Sequence, residues 1–94
     1  MVSDNEVKAT RKYLRHLATN WWANQPESKQ SAICDACGGR GIDRNGGYLI
    51  GSSLWCEDCY RDKNVEDMIR QNPDRNLGYG VLQRAVAMFG NDPD

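Results

Sequence analysis

Apolar residues recur in the first quarter of the chain at helical spacing. Val7, Leu14, Leu17, Ala18 and Trp21 follow intervals of three, four and seven, so at 100° per residue they share one stripe of a helix. Ser3-Asp4-Asn5-Glu6 precedes them and fits a capping box, in which Ser3 and Glu6 satisfy each other's amides. Asn24 and Pro26 then stop the pattern. The spacing predicts a helix over residues 3–24. Lys8, Arg11, Lys12 and Arg15 form a basic stripe beside the apolar one.

Residues 25–33 carry no periodicity and read as a polar linker. From 33 to 63 the pattern changes. Six glycines and two short apolar runs, Tyr48-Leu49-Ile50 and Leu54-Trp55, lie in this stretch. Asn45-Gly46-Gly47 and Gly51-Ser52-Ser53 are turn signals, because Asn and Gly accept positive φ at low cost. One or two short hairpins are expected. Helical patterning returns after residue 63. Asn64 is placed as a cap before Glu66 and Asp67, and Pro73 limits the helix that follows. A last helix is expected from about Leu77 to Phe89, with Val81, Leu82, Ala85, Val86 and Met88 making it the most apolar segment. Gly90 is placed at its end, and residues 91–94 are expected to be disordered.

Ninety-four residues suit one domain over 1–94, with a thin core that needs a staple. The four cysteines supply one. They form two pairs, Cys34-x₂-Cys37 and Cys56-x₂-Cys59, eighteen residues apart, with none left over. This is a zinc-site spacing. Two residues between ligands let one loop offer two sulfurs to a single ion. The polar N-terminus lacks the apolar segment of a secretory signal, and no run is long enough to span a membrane. A cytoplasmic location is expected, where paired thiols read as a metal site before they read as disulfides. A redox C-x-x-C would need a βαβ setting, which the pattern lacks. One structural Zn²⁺ held by Cys34, Cys37, Cys56 and Cys59 is therefore expected, closed to water by its four ligands.

Chemistry beyond the metal is sparse. His16 is the only histidine; it falls beside the basic stripe and reads as a solvated surface residue. No nucleophile, base and orienting group can be assembled. Asp35, Asp43, Glu57, Asp58 and Asp62 read as scattered solvent-facing acids, so no enzyme is expected. The net charge is −1; four ionised thiols and one Zn²⁺ would bring it to −3, which disfavours a broad phosphate-binding face. Adjacent Trp21 and Trp22 cannot point the same way, so one is expected in the core and the other at a contact surface.

Cys34-Asp35-Ala36-Cys37-Gly38, then Gly41-Ile42 and Arg44, then Leu54-Trp55-Cys56-Glu57-Asp58-Cys59 and a charged helix resemble a treble-clef zinc finger. The nearest pattern is the four-Cys finger of DksA/TraR transcription regulators, and the second knuckle is also similar to those of LIM and GATA fingers. The resemblance covers about 30 residues. It implies a first knuckle on a loop, a hairpin, and a second knuckle opening a helix. The acidic helical-hairpin tip of the DksA/TraR type is absent, and where GATA fingers carry basic residues after the second knuckle this chain has the mixed set Arg61, Asp62, Lys63, Asn64, Glu66 and Asp67.

The expected fold is small α+β: a treble-clef or zinc-ribbon-like module flanked by an N-terminal helix and one or two C-terminal helices. The expected function is a zinc-stabilised protein-interaction module, a regulator or adaptor that acts on a protein partner of unknown identity, with transcription machinery as one setting. Lys8, Arg11, Lys12, Arg15, Trp21 and Trp22 are the candidate partner-binding residues; the alternative is a nucleic-acid-binding finger using the four basic ones.

Overall fold

In the computed structural model, which describes residues 2–91, the capping box forms as expected. Ser3 Oγ accepts from the Glu6 amide, and Glu6 Oε1 accepts from the Ser3 amide at 3.0 Å. Helix α1 runs Asp4–Ala23 and ends at Asn24. Two antiparallel hairpins follow: β1 (Ser31–Ile33) with β2 (Gly41–Asp43), and β3 (Tyr48–Ile50) with β4 (Ser53–Trp55). Four helices follow among the described residues: α2 (Glu57–Asp62), α3 (Val65–Gln71), α4 (Pro73–Leu77) and α5 (Val81–Phe89). The fold is small α+β, with the knuckle, hairpin and helix in treble-clef order.

The C-terminal half divides more finely than its periodicity implied. Pro73 does more than limit α3: it starts α4 in the first turn, where its missing N–H costs nothing. The last helix begins at Val81 and not near Leu77, because Gly78 and Gly80 both hold positive φ. Asn64 occupies its expected cap position but in the left-handed conformation and without a side-chain cap bond. The expected tail begins with Asn91 in a turn; residues 92–94 lie outside those described.

Helix α1 packs against α5, α3 and β3, so more of its circumference is covered than a single stripe. Val7, Leu14 and Ala18 are buried as expected, but Ala9, Thr10, Tyr13 and Trp22 are buried too, while Leu17 and Trp21 are only half-buried. Two cores result. One joins Val7, Tyr13 and Leu14 to Tyr48, Ile50, Tyr60, Val65, Ile69, Leu77, Val81 and Ala85. The other joins Ala18 and Trp22, from the far end of α1, to Ile42, Leu54 and the cysteines. Tyr48 and Tyr60 stack at 4.0 Å where hairpin meets α2. No helix among the described residues is long and apolar enough to cross a membrane.

Candidate metal centre

The first knuckle is the loop between β1 and β2. The Gly38 amide donates to the Cys34 carbonyl at 2.8 Å, and Gly38 takes φ +70° to make that turn, a conformation glycine adopts freely. The Cys34 amide donates to the Arg40 carbonyl at 2.8 Å, closing the loop. The second knuckle opens α2. Cys56 is the N-cap residue, and its sulfur accepts from the Cys59 amide at 3.4 Å.

These two turns bring all four Sγ atoms within 4.8 Å of one another. Cys34 and Cys59 Sγ are 3.7 Å apart, far beyond the roughly 2.05 Å of a disulfide. A tetrahedral ion with 2.3 Å metal–sulfur arms has sulfur–sulfur edges of about 3.8 Å. The donor set therefore fits one tetrahedral ion, and four soft sulfurs suit zinc or iron. Cys34, Cys56 and Cys59 are buried and Cys37 is exposed, so the cluster sits at the edge of the second core with one corner open to solvent.

Backbone amides prepare the sulfurs for charge. Burial pushes the Cys34 thiol up, but amides of Cys56, Cys37 and Ala36 outweigh it and bring the pKa to about 6. The Cys56 amide lies 3.2 Å from the Cys34 sulfur. Amides of Gly39 and Arg40 lower Cys37. Cys59 is pushed up to about 12 by burial and by the neighbouring thiols. One site thus holds both a ready thiolate and a thiol whose proton an ion must displace.

Clamps around the cluster come from residues that read as ordinary surface in the sequence. Asp35, inside the first C-x-x-C, pairs with the strand leading to the second: its carboxylate accepts from the Leu54 amide at 2.8 Å and its own amide donates to the Leu54 carbonyl at 2.9 Å. Asp58, inside the second C-x-x-C, forms an ion pair with Arg40 of the first knuckle loop and one with Arg61 at 3.0 Å. Each knuckle therefore donates an acid that ties it to the other, which corrects the reading of these two acids as merely solvent-facing. Asp58, then Cys56 and Cys37, raise the Arg40 pKa, so this guanidinium also offsets thiolate charge. The positions between paired cysteines were the only available signal.

Arg44 is a further clamp. Its Nη1 donates to the carbonyls of Pro26 at 2.8 Å and Lys29 at 2.6 Å; its Nη2 donates to Trp22 at 3.0 Å and Gln25 at 3.4 Å. The polar segment after α1 is thus fastened to β2, not a free linker. Trp22 is fully buried; its Nε1 donates to the Gly46 carbonyl at 3.0 Å. It is the core member of the tryptophan pair, and Trp21 meets it edge-on at 4.8 Å.

The basic stripe lies elsewhere. Lys8 and Arg15 are exposed; Arg11 and Lys12 are half-buried. The Arg15 guanidinium sits 5.1 Å over the Tyr48 ring, and Lys8, Arg11 and Lys12 also have interactions within the chain. His16 is half-buried between the rings of Tyr13 and Phe89, at 6.5 and 6.0 Å, which makes it part of a ring cluster and not a fully solvated residue. Comparison with known proteins finds no match: no protein-family model, no curated protein and no solved structure matches the chain.

Proposed function

We propose that this chain is a zinc-stabilised protein-interaction module, a non-enzymatic regulator or adaptor working in the cytoplasm, with one structural Zn²⁺ on Cys34, Cys37, Cys56 and Cys59. The observation that carries the metal is the four-sulfur cluster, with all Sγ atoms within 4.8 Å. Four sulfurs around one ion suit zinc or iron alike by geometry, and zinc is preferred because two C-x₂-C pairs at this separation are a structural zinc spacing. The ion supplies no chemistry beyond holding the two knuckles together. The DksA/TraR resemblance makes transcription machinery the natural setting to search for the partner.

Protein is preferred over nucleic acid on local charge. Residues 57–70, which would follow the groove in a GATA-like finger, carry Glu57, Asp58, Asp62, Glu66 and Asp67 against Arg61, Lys63 and Arg70. Arg61 and Arg70 are engaged with these acids and with Asp4. Phosphates would meet like charge there. The nucleic-acid alternative rests on the α1 stripe, and Arg15 of that stripe is engaged with Tyr48.

Native mass spectrometry should find one zinc per chain. Cys56→Ser, and the same change at each other ligand, should lower that stoichiometry, because a poorly ionised hydroxyl replaces a soft thiolate. His16→Ala should leave it at one. A gel-shift titration should find no binding to duplex or single strands tighter than about 10⁻⁴ M at physiological salt; micromolar, salt-sensitive binding lost on changing Lys8, Arg11, Lys12 and Arg15 to Gln would install the alternative.

A further inference from the structure

Four large apolar residues are exposed among those described: Ile33, Tyr79, Val86 and Met88. Three of the four fall within ten residues, on α5 and the corner that leads into it. Tyr79 is 88% exposed. A ring left in water gains nothing for folding, and tyrosine is enriched among the residues that anchor interfaces.

The corner that carries it is built to hold it there. Gly78 sits at φ +123°, ψ +148° and Gly80 at φ +80°, backbone regions that strain a side chain. Asp74 fixes both glycines. Its carbonyl accepts from the Gly78 amide at 3.1 Å, and its Oδ1 accepts from the Gly80 amide at 3.3 Å. The Val81 amide closes the turn onto the Gly78 carbonyl at 3.3 Å. A ring displayed on a fixed turn loses little freedom when it is bound.

Charge around the corner selects the occupant. Residues 74–90 carry Arg75 and Arg84 against one acid, Asp74, whose Oδ1 is taken by the Gly80 amide. Both arginines are exposed, and among the described residues neither has a carboxylate partner. The Arg84 guanidinium lies beside Gly80, 3.9 Å from where a Cβ there would stand. A second copy of this chain fits poorly: packed symmetrically on itself, the face would set like charges together. A phosphate backbone would find only two cations among apolar side chains. A peptide that carries both carboxylates and apolar groups matches both properties.

We infer that Tyr79, Arg75, Arg84 and the exposed side of α5 form a docking face for an acidic, apolar segment of a protein partner, with Tyr79 as its anchor. The inference rests on the protein-interaction reading and gives that reading its surface.

The test is photo-crosslinking of the full zinc-loaded chain in cells of the source organism, with p-benzoylphenylalanine in place of Tyr79 or, separately, of Lys8. Mass spectrometry identifies the captured segment. Capture at position 79 should yield one protein segment with a surplus of Asp and Glu among apolar residues. Arg75→Glu with Arg84→Glu should cut that yield at least tenfold while zinc content and melting temperature hold. Capture of nucleic acid, of a second copy, or of segments without an acidic surplus overturns the inference, as does an unchanged yield in the charge-reversed protein. Capture from position 8 alone overturns this face and leaves the interaction-module reading standing. Capture from neither position removes both.

Discussion

Cys34 and Cys59 show how differently one cluster can treat chemically identical groups. With its pKa at about 6, below the usual thiol value, Cys34 binds fewer protons folded than unfolded. A depressed group of this kind contributes stability above its unfolded pKa and loses it as pH falls through the folded value. Protons compete with the ion for all four thiolates, so zinc content after desalting at pH 8, 6 and 4.5 should fall as the pH is lowered. Cys59, pushed up to about 12, is a protonated thiol at neutral pH, so zinc uptake by the reduced metal-free chain should release protons, measurable in weakly buffered solution. Arg44 works by geometry more than by charge. Its four carbonyl contacts close the C-terminal end of α1 and the turn beyond it. Arg44→Ala should cost on the order of 2–3 kcal/mol in denaturant unfolding. Arg44→Lys should recover less than half, because an ammonium cannot span the four oxygens that the planar fork reaches.

Among the elements, α1 was the most legible. Its start was written in Ser3 and Glu6, and Ser3→Ala should lower stability by about 1 kcal/mol in thermal or urea unfolding. The four cysteines of the candidate metal centre were equally plain, since their spacing alone points to a shared ion, and the fold brings their sulfurs together. What periodicity did not reveal was which neighbours would cover α1. Trp22 is buried because the Asn45–Gly47 turn brings the Gly46 carbonyl to its indole, a contact 24 residues away in sequence. Pro73 read as a stop because proline breaks a helix interior; in the fold it begins the next helix, and only the turn geometry of Asn72 decides between the two. The clamps by Asp35, Asp58, Arg40 and Arg44 were invisible for a similar reason. Each depends on tertiary approach, and each residue type is at home on a surface.

The described residues form two cores that share α1 and α2, and they should respond differently to loss of the ion. The second core consists largely of the cysteines and the side chains packed on them, and metal affinity in small modules is worth on the order of 10 kcal/mol, comparable to a domain's entire stability. Chelation should remove amide-exchange protection across residues 31–62 first. The first core contains none of the ligands, although Tyr48, Ile50 and Tyr60 reach it from the metal module, and it should keep the longest protection in the N-terminal half of α1. Uniform loss across the chain would mean one cooperative unit; unchanged amide shifts in the metal-free protein would contradict the structural role of the ion.

The pairing of α1 with α5 brings Asn5 to the carbonyl of Gly90, 2.8 Å away across 85 residues. This has a consequence in time. On the ribosome every part of the metal module has emerged once Asp62 is clear, and the knuckles can close. Val7 and Leu14 must wait for Val81 and Ala85. At synthesis rates of roughly 5–20 residues per second, the delay from α2 to the end of α5 is about 1 to 5 s. During that interval the side of α1 that α5 will cover is open, while Tyr48, Ile50 and Tyr60 are already at hand for the rest, and whatever binds exposed helices near the exit tunnel should find it then.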